Sequence, residues 1–571
     1  MFRIIILFLF LWTKPLFAET NNSFIALCYH DIRNDLTDDL DSDQFAIGSD
    51  ALIAQFSWLK AHNYHVISID DLMKAMKGEK NLPEKAILLS FDDGYASVYK
   101  ILFPLLKAYH YSAVVAVVGT WLQPKMNTMV HYGDRYLKPR SDFLSWQQIK
   151  EMSDSGLVEI ASHSYNLHHG ILANPQGNVE PAAVTRAYNK GSQTYSNDHQ
   201  YRQRILTDLQ RNSALIKKHT GKRPRVMVWP YGEYSYETIE LAAKAGMPFT
   251  LTLRDGSNKL SDSREIRRVL IEANPKLKDF VYTLEHINKS EPIRAVRVPI
   301  ETLYNADANR ANANLGHLID KIKALKINTV FLQAVADRDG DGLIDTAYFP
   351  NRHLKMVGDF LNRVEWQLET RAQLNVYAWM PSHSFSLLNK KPANKAAILQ
   401  IYEDLAKSTQ IDGILFADYP SQTKATESDS DPAWLKQLST QVKYYRPEIK
   451  TALAVSPTIS FNTIEDSINT CCDYRLIELA LTTTTDGSWK NLIMPLFNSS
   501  QASKKLIVEL SMENKQKNDR FLEQNMKMTY LQLMQLKAIQ LSYYPFNWNI
   551  DSQDFNILKS TISLRKTLFR P

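Results

Sequence analysis

Three cysteines in 571 residues are too few for a disulfide framework. Two of them, Cys471 and Cys472, are adjacent, an arrangement that seldom bridges. Past the N-terminus no apolar run reaches the length of about 18 residues that reads as a membrane span. Basic clusters are missing as well. Lys and Arg number 67 against 61 Asp and Glu, a net charge of +6 spread through short pairs. That pattern excludes a dedicated nucleic-acid binder, which would show a basic patch or stripe. No short internal repeat is visible, so a solenoid is excluded too.

What is present is ordinary globular composition, 44% hydrophobic and 22% charged, in a chain long enough for two to four domains. The opening "MFRIIILFLFLWTKPLFAETNN" has Arg3, an apolar run from Ile4 to Trp12, and the small Ala18 before Glu19. It predicts a secretory signal peptide over residues 1–18 and hence a secreted protein; an N-terminal anchor helix is the other reading. Leu16 is bulky for a small-x-small cleavage site, which leaves the cut open. Cys28 follows "IAL" rather than small residues, so no lipid anchor is expected.

Short apolar strands alternate with amphipathic helices along the whole chain, which predicts α/β architecture with parallel strands. In the first half the strands are "SFIALCYH", "HVISI", "AILLSF", "AVVAVVG", "LVEIASHS", "VMVWPYG" and "FTLTL", separated by helices such as "WQQIKEMSDSG" and "YETIELAAKAG". This predicts one barrel-like domain over residues 19–285. The rhythm restarts in residues 286–571. Eight strands are expected there, starting at Ala295, Thr329, Leu374, Gly413, Thr451, Leu492, Leu506 and Ala538. Eight strands with intervening helices fit a (β/α)8 barrel, whose chemistry sits at the C-terminal ends of its strands.

The stretch "ILLSFDDGYAS" places Asp92 and Asp93 side by side at the end of an apolar strand. Adjacent carboxylates repel, so the pair needs a reason. "ASHSYNLHHG" offers His163 and His168 after another strand. Their spacing of five does not share a helix face, so a loop must present them. Two imidazoles and a carboxylate make a three-ligand set for a catalytic divalent metal with one position open to water. Such a metal lowers the pKa of water and polarises a carbonyl. One Asp would then bind the cation while the other accepts a proton. A lone Asp-Asp-Gly after a strand is more often a turn or helix cap, and loop histidines are common; the combination carries the argument.

"VMVWPYGEYS" supplies a third segment, Trp229-Pro230-Tyr231-Gly232, after a further strand. Together with "SFDDG" and "HSYNLHH" it resembles the polysaccharide deacetylase family, carbohydrate esterase family 4, also called the NodB-homology family. That resemblance implies an incomplete (β/α)7-type barrel. It implies Asp92 as general base, Asp93, His163 and His168 as metal ligands, and Trp229, Pro230 and Tyr231 beside the acetyl pocket. The Tyr231 backbone N–H would hold the oxyanion. The family's general-acid histidine usually comes late in the domain; here His30, in "LCYHD" of the first strand, stands in for it, with a structural histidine as the alternative. The family often has Arg two residues before the Pro of the third motif, where this chain has Val228; Arg268 in "IRRVLIEANP" is the candidate substitute.

Longer motifs, among them "ADRDGDGLIDTAYFPNR" and "NVYAWMP", narrow the resemblance to periplasmic deacetylases of poly-β-1,6-N-acetyl-D-glucosamine that act during biofilm exopolysaccharide export. This implies that polymer as substrate, an outer-membrane export porin as partner, a monomer, and a glycoside-hydrolase-like second barrel that binds or cleaves the partly deacetylated product. Zinc fits the ligands; nickel, cobalt or iron would also fit. Asp418 and Glu509, at strand ends of the second barrel, suit either acid/base glycoside chemistry or binding of a cationic sugar. The family carries an acidic pair where Tyr419 here follows Asp418. Trp379, Trp489, Tyr543, Tyr544 and Trp548 are expected either in the core or against sugar rings. "DRDGDGLID", Asp337 to Asp345, resembles a calcium loop, but Tyr348 stands where an EF-hand needs Glu. It reads as an acidic glycan-facing loop or an exposed turn. Deacetylation of chitin or peptidoglycan, and a glycan-binding export module with weak catalysis, are the rival functions.

Overall fold

The computed structural model describes residues 22–36, 43–133, 136–288, 291–417, 431–455, 471–480, 494, 497, 503–511, 520–536 and 540–564. The expected signal peptide, Asp418 and Trp489 lie outside these residues. Two compact units emerge. The first holds the described residues up to Asn166, with Asp208–Gly232 and Ala245–Asn288; the second holds Leu167–Thr207, Glu233–Lys244 and the described residues from 291 on. The main change of unit along the chain follows Asn288, and two internal stretches, Leu167–Thr207 and Glu233–Lys244, join the second unit.

The first unit is built on seven parallel strands: β1 (Ser23–Tyr29), β2 (Ala86–Phe91), β3 (Ala113–Val117), β4 (Val158–Ser162), β5 (Val226–Val228), β6 (Phe249–Leu251) and β7 (Val269–Leu270). Their order is β7-β1-β2-β3-β4-β5-β6. Runs such as "AILLSF" and "AVVAV" are buried at every residue, as strands covered on both faces must be. Ser68 with Asp71 and Ser145 with Gln148 form capping boxes that start two of the surrounding helices. One short segment closes the sheet. Ile266 exchanges hydrogen bonds with β6 through Thr250 O and the Thr252 N–H, at 2.8 and 2.9 Å. Three residues on, Val269 and Leu270 pair with Leu27 and Cys28 of β1.

The second unit contains eight parallel strands in sequence order: β8 (Ala295–Val298), β9 (Thr329–Gln333), β10 (Asn375–Met380), β11 (Gly413–Phe416), β12 (Lys450–Val455), β13 (Tyr474–Ala480), β14 (Leu506–Ser511) and β15 (Gln540–Tyr544). The ring closes where Leu541 N–H reaches Ile293 O at 3.0 Å. Phe331, Tyr377, Leu415, Leu476 and Ile507 fill its interior, while a larger apolar layer lies between strands and helices. Seven strands are those expected. The sixth strand of the ring is Tyr474–Ala480, "YRLIELA", which the sequence reading did not name; the strand expected from Leu492 falls outside the described residues except for Met494 and Phe497, both helical. Arg475 and Glu478 hide its apolar character, yet Arg475 is fully buried in the barrel and Glu478 pairs with Arg297.

The Asp337–Asp345 stretch is a turn that uses its own carboxylates. Asp337 accepts from the Gly340 and Gly342 N–H groups at 2.8 and 2.9 Å, and Asp341 from Leu343 at 2.8 Å. Among the described residues no helix is long and apolar enough to cross a membrane.

Candidate active site

Three of the motifs end strands of the first unit on the same edge of its sheet. His30 follows β1, Asp92 and Asp93 follow β2, and His163 follows β4. At Asp93 the chain turns with φ 69°, then Gly94 with φ 67°. Asp tolerates the left-handed region better than most residues. Gly94 has a further reason to lack a side chain: a Cβ there would sit 3.0 Å from Val117 Cγ1. This double left-handed turn sends the two adjacent carboxylates to different partners.

Asp92 meets Arg268. The guanidinium forks the carboxylate, with Nη1 on Oδ1 at 2.7 Å and Nη2 on Oδ2 at 2.9 Å. Both side chains are buried. Arg268 is itself held by Nε donating to Thr252 O (2.8 Å) and Nη1 donating to Ser90 Oγ (3.0 Å). The Cys28 thiol donates to Asp92 Oδ2 at 3.5 Å. Burial alone would push the Asp92 carboxyl up; the charge of Arg268, then that of His163 and the Arg268 hydrogen bonds, outweigh it and hold the carboxyl below the usual value. Planar, bidentate pairing of this kind is what Arg does and Lys does not. Arg268 therefore stands where the sequence suggested a substitute for the Val228 departure. Val228 has a part of its own: its carbonyl accepts from His163 Nδ1 at 2.8 Å.

That bond fixes the His163 tautomer. With Nδ1 protonated, Nε2 presents its lone pair, and it faces Asp93 Oδ1 at 3.5 Å. Asp93, His163 and His168 each bring one donor atom within 4.8 Å of the others. Two imidazoles and a carboxylate, one histidine oriented by a backbone carbonyl, fit a catalytic divalent cation. Burial lowers the His163 pKa, but the Asp93 carboxylate beside Nε2 and the charge of Asp92 favour a proton on that nitrogen and raise it to a net position above the usual value; a cation would take that proton's place. His30 has shifted the other way: burial lowers it more than the charges of Asp93 and Asp92 raise it. His30 groups with Cys28 and Asp92, one donor atom of each lying within 4.8 Å of the others.

Trp229-Pro230-Tyr231-Gly232 follows β5. Trp229 is buried, its backbone N–H bonded to Leu251 O at 3.1 Å, while Tyr231 is 40% exposed with φ 60°. Gly232 has to be glycine: φ is 76° and a Cβ would come within 2.5 Å of Leu253 Cβ. Sequence reasoning missed Tyr132, whose hydroxyl donates to Asp93 Oδ2 at 2.6 Å, as well as the Cys28 and Ser90 contacts. Tyr132 sits 39 residues after Asp93 on a short, largely exposed hairpin, so no local signal marks it.

In the second unit Glu509, expected at the sugar-binding mouth, is fully buried. It accepts from Ser542 Oγ at 2.8 Å and from Arg297, which also meets Glu478. Burial pushes the Glu509 carboxyl up to about 7 in spite of Arg297. The Arg297 guanidinium lies 4.0 and 4.7 Å from the ring centroids of Tyr544 and Trp379. Trp379, Tyr543 and Tyr544 are buried, and Trp548 donates Nε1 to Thr302 O at 2.9 Å.

The class follows from comparison with known proteins. Residues 79–250 match the family described as polysaccharide deacetylase, and residues 297–397 match hypothetical glycosyl hydrolase family 13. The protein is a carbohydrate-active hydrolase of the deacetylase class. It is 32% identical, over 96% of its length and 94% of the relative's, to the poly-β-1,6-N-acetyl-D-glucosamine N-deacetylase of Escherichia coli O157:H7, and it belongs to that family. Among solved structures, the de-N-acetylase from Aggregatibacter actinomycetemcomitans is 39% identical, covering 46% of this chain and 99% of that one (TM-score 0.43). The deacetylase domain of BpsB from Bordetella bronchiseptica is 43% identical, covering 44% and 96% (TM-score 0.40).

Proposed function

We propose that the protein removes N-acetyl groups from a β-1,6-linked N-acetylglucosamine polymer as it is exported through the periplasm for biofilm formation, with a divalent cation, zinc first, at Asp93, His163 and His168. The observation that carries this reading is the division of labour between the adjacent carboxylates: Asp92 forked by Arg268, Asp93 turned toward the histidines. A cation at that site would supply Lewis acidity to water and to the acetamide carbonyl. Asp92, kept ionised by Arg268, accepts the proton of the attacking water. The Tyr231 backbone N–H faces the oxygen on which negative charge develops. His30, once it has taken up a proton, gives it to the departing amine; its lowered pKa favours that release. Arg268 touches no reacting atom; it keeps the base aligned and charged. Trp229 and Pro230 wall the acetyl pocket.

The second barrel binds the partly deacetylated product, a reading supported by the glycosyl hydrolase family match. Cleavage there would rest on Asp418: shortened chains from the parent and none from Asp418→Asn would establish it. Substrate choice is tested by acetate release from β-1,6 and β-1,4 N-acetylglucosamine oligomers. Faster release from β-1,6 is expected; equal or faster release from β-1,4 would return the protein to the chitin or peptidoglycan reading. Export through an outer-membrane porin and delivery by residues 1–18 as a signal peptide complete the proposal.

A further inference from the structure

Residues Met129–Tyr132 and Tyr136–Pro139 form an antiparallel hairpin in which Val130 faces Lys138 and Tyr132 faces Tyr136. Met129 and Leu137 point outward and are exposed, while Val130 joins the core of the first unit. Tyr132 also points inward. Its ring packs against Trp121 at 5.0 Å between centroids, and Lys138 Nζ lies 4.6 Å from its centroid. Lys138 in turn donates to Tyr95 Oη at 2.9 Å and pairs with Asp43 at 3.2 Å. Ring, ammonium and hairpin pairing together fix where the Tyr132 hydroxyl can go. It goes to Asp93 Oδ2, at 2.6 Å, an ordinary length for a hydroxyl on a carboxylate.

Asp93 therefore has two unlike oxygens. Oδ2 takes the phenol, and Oδ1 faces His163 Nε2. We propose that Tyr132 is a positioning residue of the cation site: by occupying Oδ2 it leaves Oδ1 as the oxygen that Asp93 presents beside His163 and His168. The inference rests on reading those three residues as a cation site. Partners of ligating side chains orient them and tune affinity, and losing one typically costs about 10–100-fold in metal binding. Here that partner arrives on a hairpin, so the seating of a surface element governs how the site holds its ion.

The experiment uses the full chain stripped by chelator and titrated with Zn²⁺ and Co²⁺ in competition with a chromophoric chelator. Tyr132→Phe removes one oxygen and should weaken both metals about 10–100-fold. The visible spectrum of the Co²⁺ form should also weaken, because an Asp93 able to bind through both oxygens raises the coordination number. At saturating metal KM should stay near the parent's while kcat stays below it, because the second Asp93 oxygen would compete for the position that water needs. Affinity within about twofold of the parent, with an unchanged Co²⁺ spectrum, would overturn the inference. Should Tyr132→Phe not fold, Tyr95→Phe, which deletes the hydroxyl that Lys138 holds, must weaken binding in the same direction, and parental affinity there overturns it equally. A parent chain that binds neither metal sinks the cation-site reading itself, a result distinct from a variant that matches a metal-binding parent.

Discussion

Asp92 and Arg268 form a buried ion pair whose halves cannot be removed singly without cost. Arg268→Gln leaves a carboxylate in the interior unmatched and should destabilise the first unit by about 3–5 kcal/mol. The sign with pH follows from the direction of the Asp92 shift. Its carboxyl sits below the ordinary value in the folded chain, so it contributes stability above that value and loses it as pH falls through the folded pKa. In Arg268→Gln that contribution disappears, and the acid limb of the kcat/KM profile moves to higher pH; a pH–rate profile checks it. Asp92→Asn should lower acetate release by about 10²–10⁴-fold, the usual worth of a general base, with metal content unchanged by elemental analysis. Asp92, Asp93, His163 and His168 were legible in sequence because each stands at the end of an apolar strand inside a short polar motif. Cys28 and Tyr132 were not. One reads as an interior strand residue, the other as a polar loop, and only the tertiary fold brings them to the carboxylates.

At the scale of the element, the second barrel shows where reading by pattern succeeds and where it stops. Strands filled with Val, Ile, Leu and Ala announce themselves. β13 does not, because Arg475 and Glu478 interrupt it: Glu478 meets Arg297 of β8, and Arg475 donates to Tyr474 O and Cys471 Sγ close by in sequence. β10 illustrates the reverse. Trp379 reads in sequence as either a core aromatic or a sugar platform, and it is core: it is 1% exposed, its Nε1 donates to Ala417 O at 3.0 Å, and Tyr544 packs edge-on at 5.7 Å. Trp379→Ala should therefore cost about 3–5 kcal/mol, as truncation of a buried aromatic does, while acetate release by the folded protein stays near the parent's. Chemical denaturation and an acetate assay on the same preparation would check both halves. Gly232→Ala, by contrast, should impair acetate release, since the added methyl meets Leu253 and displaces the Tyr231 turn; comparing kcat/KM with that of the parent tests it.

For the whole molecule, pH should act through a site far along the chain from the catalytic motifs. In the second unit Asp359 is pushed up from 3.8 to about 7, by burial first and then by the Glu180 carboxylate, and it accepts from the Tyr195 hydroxyl. A raised carboxyl contributes stability that is complete below its unfolded value and is lost as pH climbs through the folded one. The thermal midpoint of the second unit should thus fall between pH 5 and 8 by an amount corresponding to about 1–3 kcal/mol. Asp359→Asn, neutral at every pH and still able to accept from Tyr195, should flatten that fall; calorimetry at several pH values decides. Metal removal is the second global test. Dialysis against a chelator should abolish acetate release and lower the unfolding midpoint, and restoring Zn²⁺ should return both, because a ligand bound only by the folded chain stabilises it.

The segment from Ile266 to Leu270 joins β6 to β1 and carries Arg268 between its two attachments. Closing the sheet and seating Arg268 on Asp92 are therefore one event. A chain whose last strand has not yet seated leaves Asp92 without its counterion, and a buried carboxylate in that position takes up a proton rather than accepting one from water. Such a chain is chemically silent until its architecture is finished. Heat or denaturant that frays this seam should switch off acetate release before the rest of the unit unfolds, so loss of activity would report the opening of one short strand rather than the melting of a domain.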